Sequence, residues 1–222
     1  MSLPREPLAV GITGGTGSGK TALARAIATR LGTWRVALIH QDRYYRDQSH
    51  LSPAERARAN LDEPAAFDLE LLAAHVAAIR RGEAIEMPTY SFERHCREAG
   101  TTRVTPASLA LVEGLLLFRS PTLAGLFDLR VFVDAPADIR LARRLVRDVA
   151  ERGRDAEGVV AQYLGSVRAM HARYVEPQRR HADLVVSNAG ELEEAARVVE
   201  RALRTRLGLG EATAPAAARA GS

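Results

Sequence analysis

Gly14-Gly15-Thr16-Gly17-Ser18-Gly19-Lys20-Thr21 decides how the rest of the chain is read. The run fits G-x-x-x-x-G-K-[ST] without a mismatch, and its flanks are those the pattern needs. Leu8-Ala9-Val10-Gly11-Ile12-Thr13 reads as a short buried strand, and Leu23, Ala24, Ile27, Ala28 and Leu31 recur at helical spacing. A glycine turn between strand and helix lets successive N–H groups point inward, and the helix N-terminus adds its partial positive charge. The result is a phosphate cradle. Lys20 is expected to reach the β- and γ-phosphates, and the Thr21 hydroxyl to ligate Mg²⁺. Lys20 is also the only lysine among the 222 residues, every other basic side chain being arginine. A compact ammonium on a thin stem enters a closed loop where a planar guanidinium does not. The bland alternative is a glycine-rich turn that matches by coincidence.

Composition bounds the reading. The length suits one domain of ordinary size with a lid, and 46% hydrophobic residues suffice for a full core. The net charge of +4 is spread along the chain, and the isoelectric point is about 9.7. Such an excess suits an anionic small substrate and does not single out nucleic acid. Cys96 is the only cysteine, so no internal disulfide exists and a reducing compartment is allowed. With no apolar leader and no run of membrane-spanning length, the expectation is a soluble cytoplasmic protein without nucleic-acid or membrane partners.

Strand patterns alternate with helix patterns throughout, which predicts an α/β domain of three layers over a mostly parallel sheet. Residues 35–40 read as the second strand, ending at Asp42, and residues 108–112 as another, ending at Glu113. Ligands of open parallel sheets sit at the carboxyl ends of strands. A carboxylate at Asp42 can take the proton of an attacking hydroxyl, although a helix cap is the plain alternative. Glu113 can hold Mg²⁺ directly or through water, with loop solvation as its alternative. A capped helix start is expected at Ser52, a helix over 68–81, and an irregular hairpin over 83–106 with Tyr90, Phe92 and His95 at its tip. A strand over 129–133 leads to Asp134, the expected cap of a long arginine-dense helix. The arginines from 144 to 154 straddle a glycine break, as a mobile lid over a triphosphate would, whereas Arg140 and Arg143 read as a solvated face. A last strand over 183–187 and a helix over 191–207 close the fold. Residues 1–7 are expected to be a loose arm and 208–222 a disordered tail, leaving 1–207 as a single unit.

The motifs occur in an order that resembles the uridine kinase (uridine–cytidine kinase) family of P-loop nucleoside kinases, from about residue 8 to 186. The phosphate loop is followed by Gln41-Asp42-Arg43-Tyr44-Tyr45 and Asn60-Leu61-Asp62-Glu63-Pro64-Ala65-Ala66-Phe67-Asp68. Pro88-Thr89-Tyr90-Ser91-Phe92-Glu93-Arg94-His95, Glu113-Gly114 and Phe132-Val133-Asp134 come next. Arg147-Asp148, Glu151-Arg152-Gly153-Arg154, Gln162-Tyr163 and Val175-Glu176-Pro177 complete the set.

The resemblance implies a P-loop kinase fold with a β-hairpin substrate clamp and an arginine-rich lid at about 144–160. It implies phosphorylation of uridine and cytidine at the 5′-hydroxyl in pyrimidine salvage, with ATP or GTP as donor and Mg²⁺. It makes Asp42 the general base, and it places Asp62 and Arg144 on the ribose 2′- and 3′-hydroxyls. Tyr90 and His95 would face the pyrimidine edge, Arg154 and Gln162 would lie near the base, Tyr45 would line the pocket, and Arg147 and Arg152 would serve the phosphates. A homotetramer inhibited by UTP and CTP is implied too.

Three positions depart from that pattern. Leu61 replaces an aromatic, Arg43 replaces a small or acidic residue, and Ser187-Asn188-Ala189-Gly190 replaces Pro-Arg-Gly-Gly, which bears on base and subunit contacts there.

Phosphoribulokinase- and pantothenate-kinase-like enzymes share the loop but do not need the Tyr90–His95 clamp in this form. An ATPase working on nucleic acid or protein has only the basic isoelectric point in its favour. A GTPase with an Asn-Lys-x-Asp motif is excluded by the single lysine.

Overall fold

The computed structural model describes residues 6–190 and 192–207. Among the described residues there are seven strands: β1 (Leu8–Gly14), β2 (Val36–His40), β3 (Ile85–Ser91), β4 (Cys96–Val104), β5 (Leu109–Gly114), β6 (Leu129–Asp134) and β7 (Leu184–Ser187). Five of them form one parallel sheet in the order β2-β5-β1-β6-β7. The helices are α1 (Lys20–Leu31), α2 (Pro53–Arg58), α3 (Leu69–Arg80), α4 (Pro121–Ala124), α5 (Ala137–Arg152), α6 (Ala156–Gln162), the single turn α7 (Arg168–Met170) and α8 (Leu192–Leu207). None is long and apolar enough to cross a membrane.

The sheet is covered on both faces, so its central strands read as continuous apolar runs. Alternate residues of β1 serve opposite faces. Val10 and Ile12 join Leu23, Ile27, Leu111, Val131, Val199 and Leu203 beneath α1 and α8. Ala9 joins Ile39, Leu72, Val76, Ile79, Val112, Phe118 and Phe127 beneath α3. Gly11 points to that second face, where a Cβ would stand 2.8 Å from both Phe118 and Phe127, so two aromatic rings pack on bare backbone.

Local signals hold where they were strongest. Ser52 and Glu55 form a reciprocal capping box at α2, and the Asp68 side chain accepts from the Leu71 N–H at the start of α3. The hairpin is β3 against β4, with a register shift at Pro88, which cannot donate to the ladder. Arg97 ties it to the body by donating to the Tyr45 carbonyl (2.6 Å) and the Asp68 carboxylate (3.3 Å).

Two expectations are corrected. Asp134 does not cap α5: the cap residue is Pro136, and the Asp134 carboxylate instead accepts from Arg179 at 3.0 Å. The helix begins at Ala137, so Asp134 stands two residues before the cap position and its carboxylate is taken up by Arg179 instead. Arg140 is not on a solvated face, being only 6% exposed and donating from Nε to the Ala135 carbonyl at 3.0 Å. Arg143 donates to the Asn188 carbonyl at 2.8 Å. The expected arm lies mostly, and the expected tail wholly, outside the described residues, as does Glu191.

Candidate active site

The cradle forms where β1 turns into α1. Gly17 (φ 73°) and Gly19 (φ 89°) adopt left-handed backbone that favours glycine. There is also no room for side chains: a Cβ on Gly17 would meet the Arg140 carbonyl, and one on Gly19 the Asn188 amide. Asn188 in turn donates to the Ser18 carbonyl at 2.7 Å. Its segment, which departs from the uridine kinase pattern, braces the loop from outside. No side chain caps α1, so its first N–H groups keep their capacity to bind an anion.

Two cavities open beside the loop. The inner one, about 650 Å³, is lined by Thr16, Tyr45, Leu61, Asp62, His95, Arg144, Arg154 and Gln162 among others. The outer one, about 1100 Å³, is lined by Gly17, Gly19, Thr21, Arg43 and Glu113 among others. Lys20, Asp42, Arg147 and Arg152 line both, together with Phe92. The four residues singled out for catalysis therefore stand where the two spaces meet.

Asp42 sits on a 3₁₀ turn (Gln41–Arg43) directly after β2. The turn is anchored by Gln41, fully buried, whose Oε1 accepts from the Leu116 N–H at 2.9 Å. Asp42 Oδ2 lies 4.0 Å from Arg152 Nη2. Burial pushes the Asp62 carboxyl upward; the Arg144 charge pulls it back and Asp42 adds to the rise. The net direction is upward, with burial the dominant cause.

Tyr45 stacks on Phe67 with centroids 4.3 Å apart. The Tyr90 ring is not among the residues lining either cavity. It is 3% exposed, packed against Tyr45 (5.0 Å) and Phe92 (5.4 Å), so it supports the wall rather than facing a base. Phe92, partly buried, lines both cavities. His95 turns the chain with φ 50°, and its Nδ1 is buried without a partner. Burial, then the charges of Arg154, Arg152 and Arg56, lower its pKa and keep the ring neutral.

The lid is organised by Asp148, which stands in the motif Arg147-Asp148 without a role assigned to it from sequence. Asp148 is fully buried and sits among four guanidinium groups. Arg147 donates to its Oδ1 twice, at 2.9 and 2.7 Å. Arg144, Arg152 and Arg154 approach to 3.4, 3.6 and 3.7 Å. Gln162 Oε1 accepts from Arg144 (2.7 Å) and Arg154 (2.6 Å), and Arg144 also donates to Thr16 Oγ1 at 3.2 Å. Gly153 (φ 63°) makes the break, and Asp155 restarts the helix by capping the Gly158 N–H. The signal for Asp148 was its spacing, four residues from Arg144 and four from Arg152 on one helix face.

Glu113 is 3% exposed and accepts from, or shares a proton with, His40 Nδ1 at 2.8 Å. Burial alone would raise its pKa. The His40 hydrogen bond, the Lys20 charge and the Thr21 hydroxyl outweigh that and hold it below the ordinary carboxylate range. Hydroxyl and carboxylate oxygens are hard donors that suit Mg²⁺, which keeps waters and phosphate oxygens and needs few protein ligands. Among the described residues no group of three His, Cys, Asp or Glu forms a protein cage for a metal.

A parallel sheet with a phosphate loop after β1, carboxylates after β2 and at the end of β5, and an arginine lid defines a P-loop kinase. The chain belongs to the phosphoribulokinase / uridine kinase family, whose model matches residues 9–193. It is 41% identical over 204 residues to a uridine kinase of Clostridium perfringens, covering 92% of this chain and 98% of that one. It is 47% identical over 185 residues to a uridine kinase of Chloroflexus aggregans, covering 83% and 88%. The solved phosphoribulokinase of Rhodobacter spheroides superposes with a TM-score of 0.60 at 18% identity, covering 88% of this chain and 75% of that one, and shares the fold.

Proposed function

We propose that this enzyme transfers the terminal phosphoryl group of ATP or GTP to the 5′-hydroxyl of uridine and cytidine, giving UMP and CMP for pyrimidine salvage. The observation that carries the reading is the meeting of the two cavities at Lys20, Asp42, Arg147 and Arg152. One cavity is lined by Asp62, His95 and Arg144, the residues expected to hold a nucleoside, and the other by the phosphate loop. The uridine kinase relatives, alike over most of their length, support the same acceptor.

In this reading Asp42 accepts the 5′-hydroxyl proton as the oxygen attacks the γ-phosphorus. Lys20, the loop N–H groups and Arg147 and Arg152 stabilise charge on the transferring group, which is most of the catalysis phosphoryl transfer needs. Thr21 and Glu113 would hold Mg²⁺, which neutralises phosphate charge when bound. Asp62 and Arg144 hold the ribose 2′- and 3′-hydroxyls, and His95, Arg154 and Gln162 face the base, with Phe92 in the place first given to Tyr90. Residues up to 207 act as one unit, in the cytoplasm, as a homotetramer without nucleic-acid or membrane partners.

A panel of nucleosides assayed for 5′-monophosphate tests the reading. Uridine and cytidine are expected to be turned over and purine nucleosides not. Asp42→Asn should lower kcat by roughly 10²–10⁴-fold with little change in nucleoside affinity. Lys20→Arg should fail almost as badly as Lys20→Ala, about 10²–10³-fold down. Turnover dependent on nucleic acid, or a purine preferred over both pyrimidines, would overturn the assignment.

A further inference from the structure

His40 directly precedes Gln41-Asp42 and stands beside Glu113-Gly114 across two strands. His40 and Glu113 are the paired residues of β2 and β5, in register on adjacent parallel strands. Side chains paired in this way point to the same face, here towards the outer cavity that both line. His40 Nδ1 lies 2.8 Å from Glu113 Oε1. Among the described residues it is the only direct ion-pair contact of that buried carboxylate.

We propose that His40 is a positioning residue for Glu113: it commits one carboxylate oxygen and fixes the rotamer that presents the other to a divalent cation at the phosphates. The inference rests on the phosphoryl-transfer reading above. A glutamate has three rotatable bonds, and a strand end does not restrict them. Without its partner the buried carboxylate oxygen would be left unpaired, and the side chain would turn to water. With Nδ1–H donating to Oε1, the imidazole tautomer is set and Nε2 is left as an acceptor. An acceptor beside the cavity suits the hydrogens of a metal-bound water. Carboxylate ligands are commonly oriented by such a second partner, and loss of the partner weakens metal affinity by roughly 10–100-fold. A histidine that merely closed the sheet end would need no carboxylate in its row.

The test is equilibrium binding of a non-hydrolysable ATP analogue, without nucleoside, in Mg²⁺ and in EDTA. Wild type is expected to bind more tightly in Mg²⁺. His40→Ala should cut that enhancement by about 10-fold or more while affinity in EDTA stays within about twofold. His40→Asn, whose amide N–H can stand where Nδ1–H stood, should restore most of it. His40→Leu keeps bulk on the strand and carries the same expectation should the alanine variant not fold. An enhancement preserved in the alanine or leucine variant overturns the proposal. So does an equal loss in Mg²⁺ and EDTA, which a purely structural role would give. A wild type indifferent to Mg²⁺ would instead overturn the metal role of Thr21 and Glu113, whatever the acceptor.

Discussion

The Arg152 guanidinium carbon lies 4.2 Å from the centre of the Phe92 ring, so the end of the lid helix rests on the tip of the hairpin clamp. Arg152 also reaches Asp42 and Asp148, and Phe92 touches both cavities. The contact joins the element expected to close over phosphates to the one expected to close over the acceptor. A cation over an aromatic face is worth about 0.5–2 kcal/mol. Phe92→Leu keeps the bulk and loses the ring face, so kcat/KM should fall roughly 2–30-fold on that scale. In a double-mutant cycle with Arg152→Ala the two losses should be non-additive. Strictly additive losses would show that clamp and lid act separately.

Asp148 offsets four positive charges from a fully buried position. Removing one partner of a buried ionic cluster typically costs about 3–5 kcal/mol. The cost is lower here, because three of the arginines are partly exposed and can turn to water. Asp148→Asn is therefore expected to destabilise the fold by about 2–3 kcal/mol and to lower turnover more than nucleoside binding. Urea unfolding and steady-state kinetics check both. A variant with wild-type stability would return the cluster to an ordinary surface network.

His171 lies in a π-helical turn under the phosphate loop, where a Cβ on Gly15 would stand 3.0 Å from its ring. Burial, then the Arg140 charge, lowers its pKa to about 4, with Asp134 opposing. Glu176 approaches to 3.5 Å and is half exposed. In the unfolded chain the ring takes a proton near pH 6.5, whereas the folded ring resists until about pH 4. Stability should therefore fall as pH drops through that window, by up to about 3 kcal/mol, and level off below it. His171→Gln should flatten the decline. An unchanged pH profile of unfolding in the variant would remove this histidine from the account.

His95 is held neutral at the inner cavity with an unpartnered Nδ1. A neutral ring carries one donor and one acceptor and can exchange them by tautomer or flip, so it can meet the edge of uracil or of cytosine. An unpaired buried polar group costs about 1–3 kcal/mol. His95→Ala should then lower kcat/KM for uridine and cytidine alike, by about one to two orders of magnitude. Loss for one pyrimidine alone would mean a fixed donor and a different reader of the base.

The elements that sequence alone determined are those built from neighbours along the chain. The phosphate loop from Gly14 to Thr21 needs only its own glycines, the strand before it and the helix after it. Capping at Ser52 likewise involves residues three apart. Asp42 and Glu113 were legible because strand ends of a parallel sheet face one edge. What the tertiary structure decided is which partner meets each charge. Periodicity on the lid helix shows that Arg140, Arg143, Arg144 and Asp148 share a region, but not which of them is buried. Arg140 lies beneath the phosphate loop, and Asp148 is buried because arginines from both sides of the Gly153 break converge on it. The exchange of roles between Tyr90 and Phe92 follows from where Tyr45 and Phe67 stack, on segments far away in sequence. His40 and Asn188 gain their meaning from β5 and from the loop, respectively. A buried charge or an unpaired amide is tolerated only with a partner, and that partner is supplied by the fold.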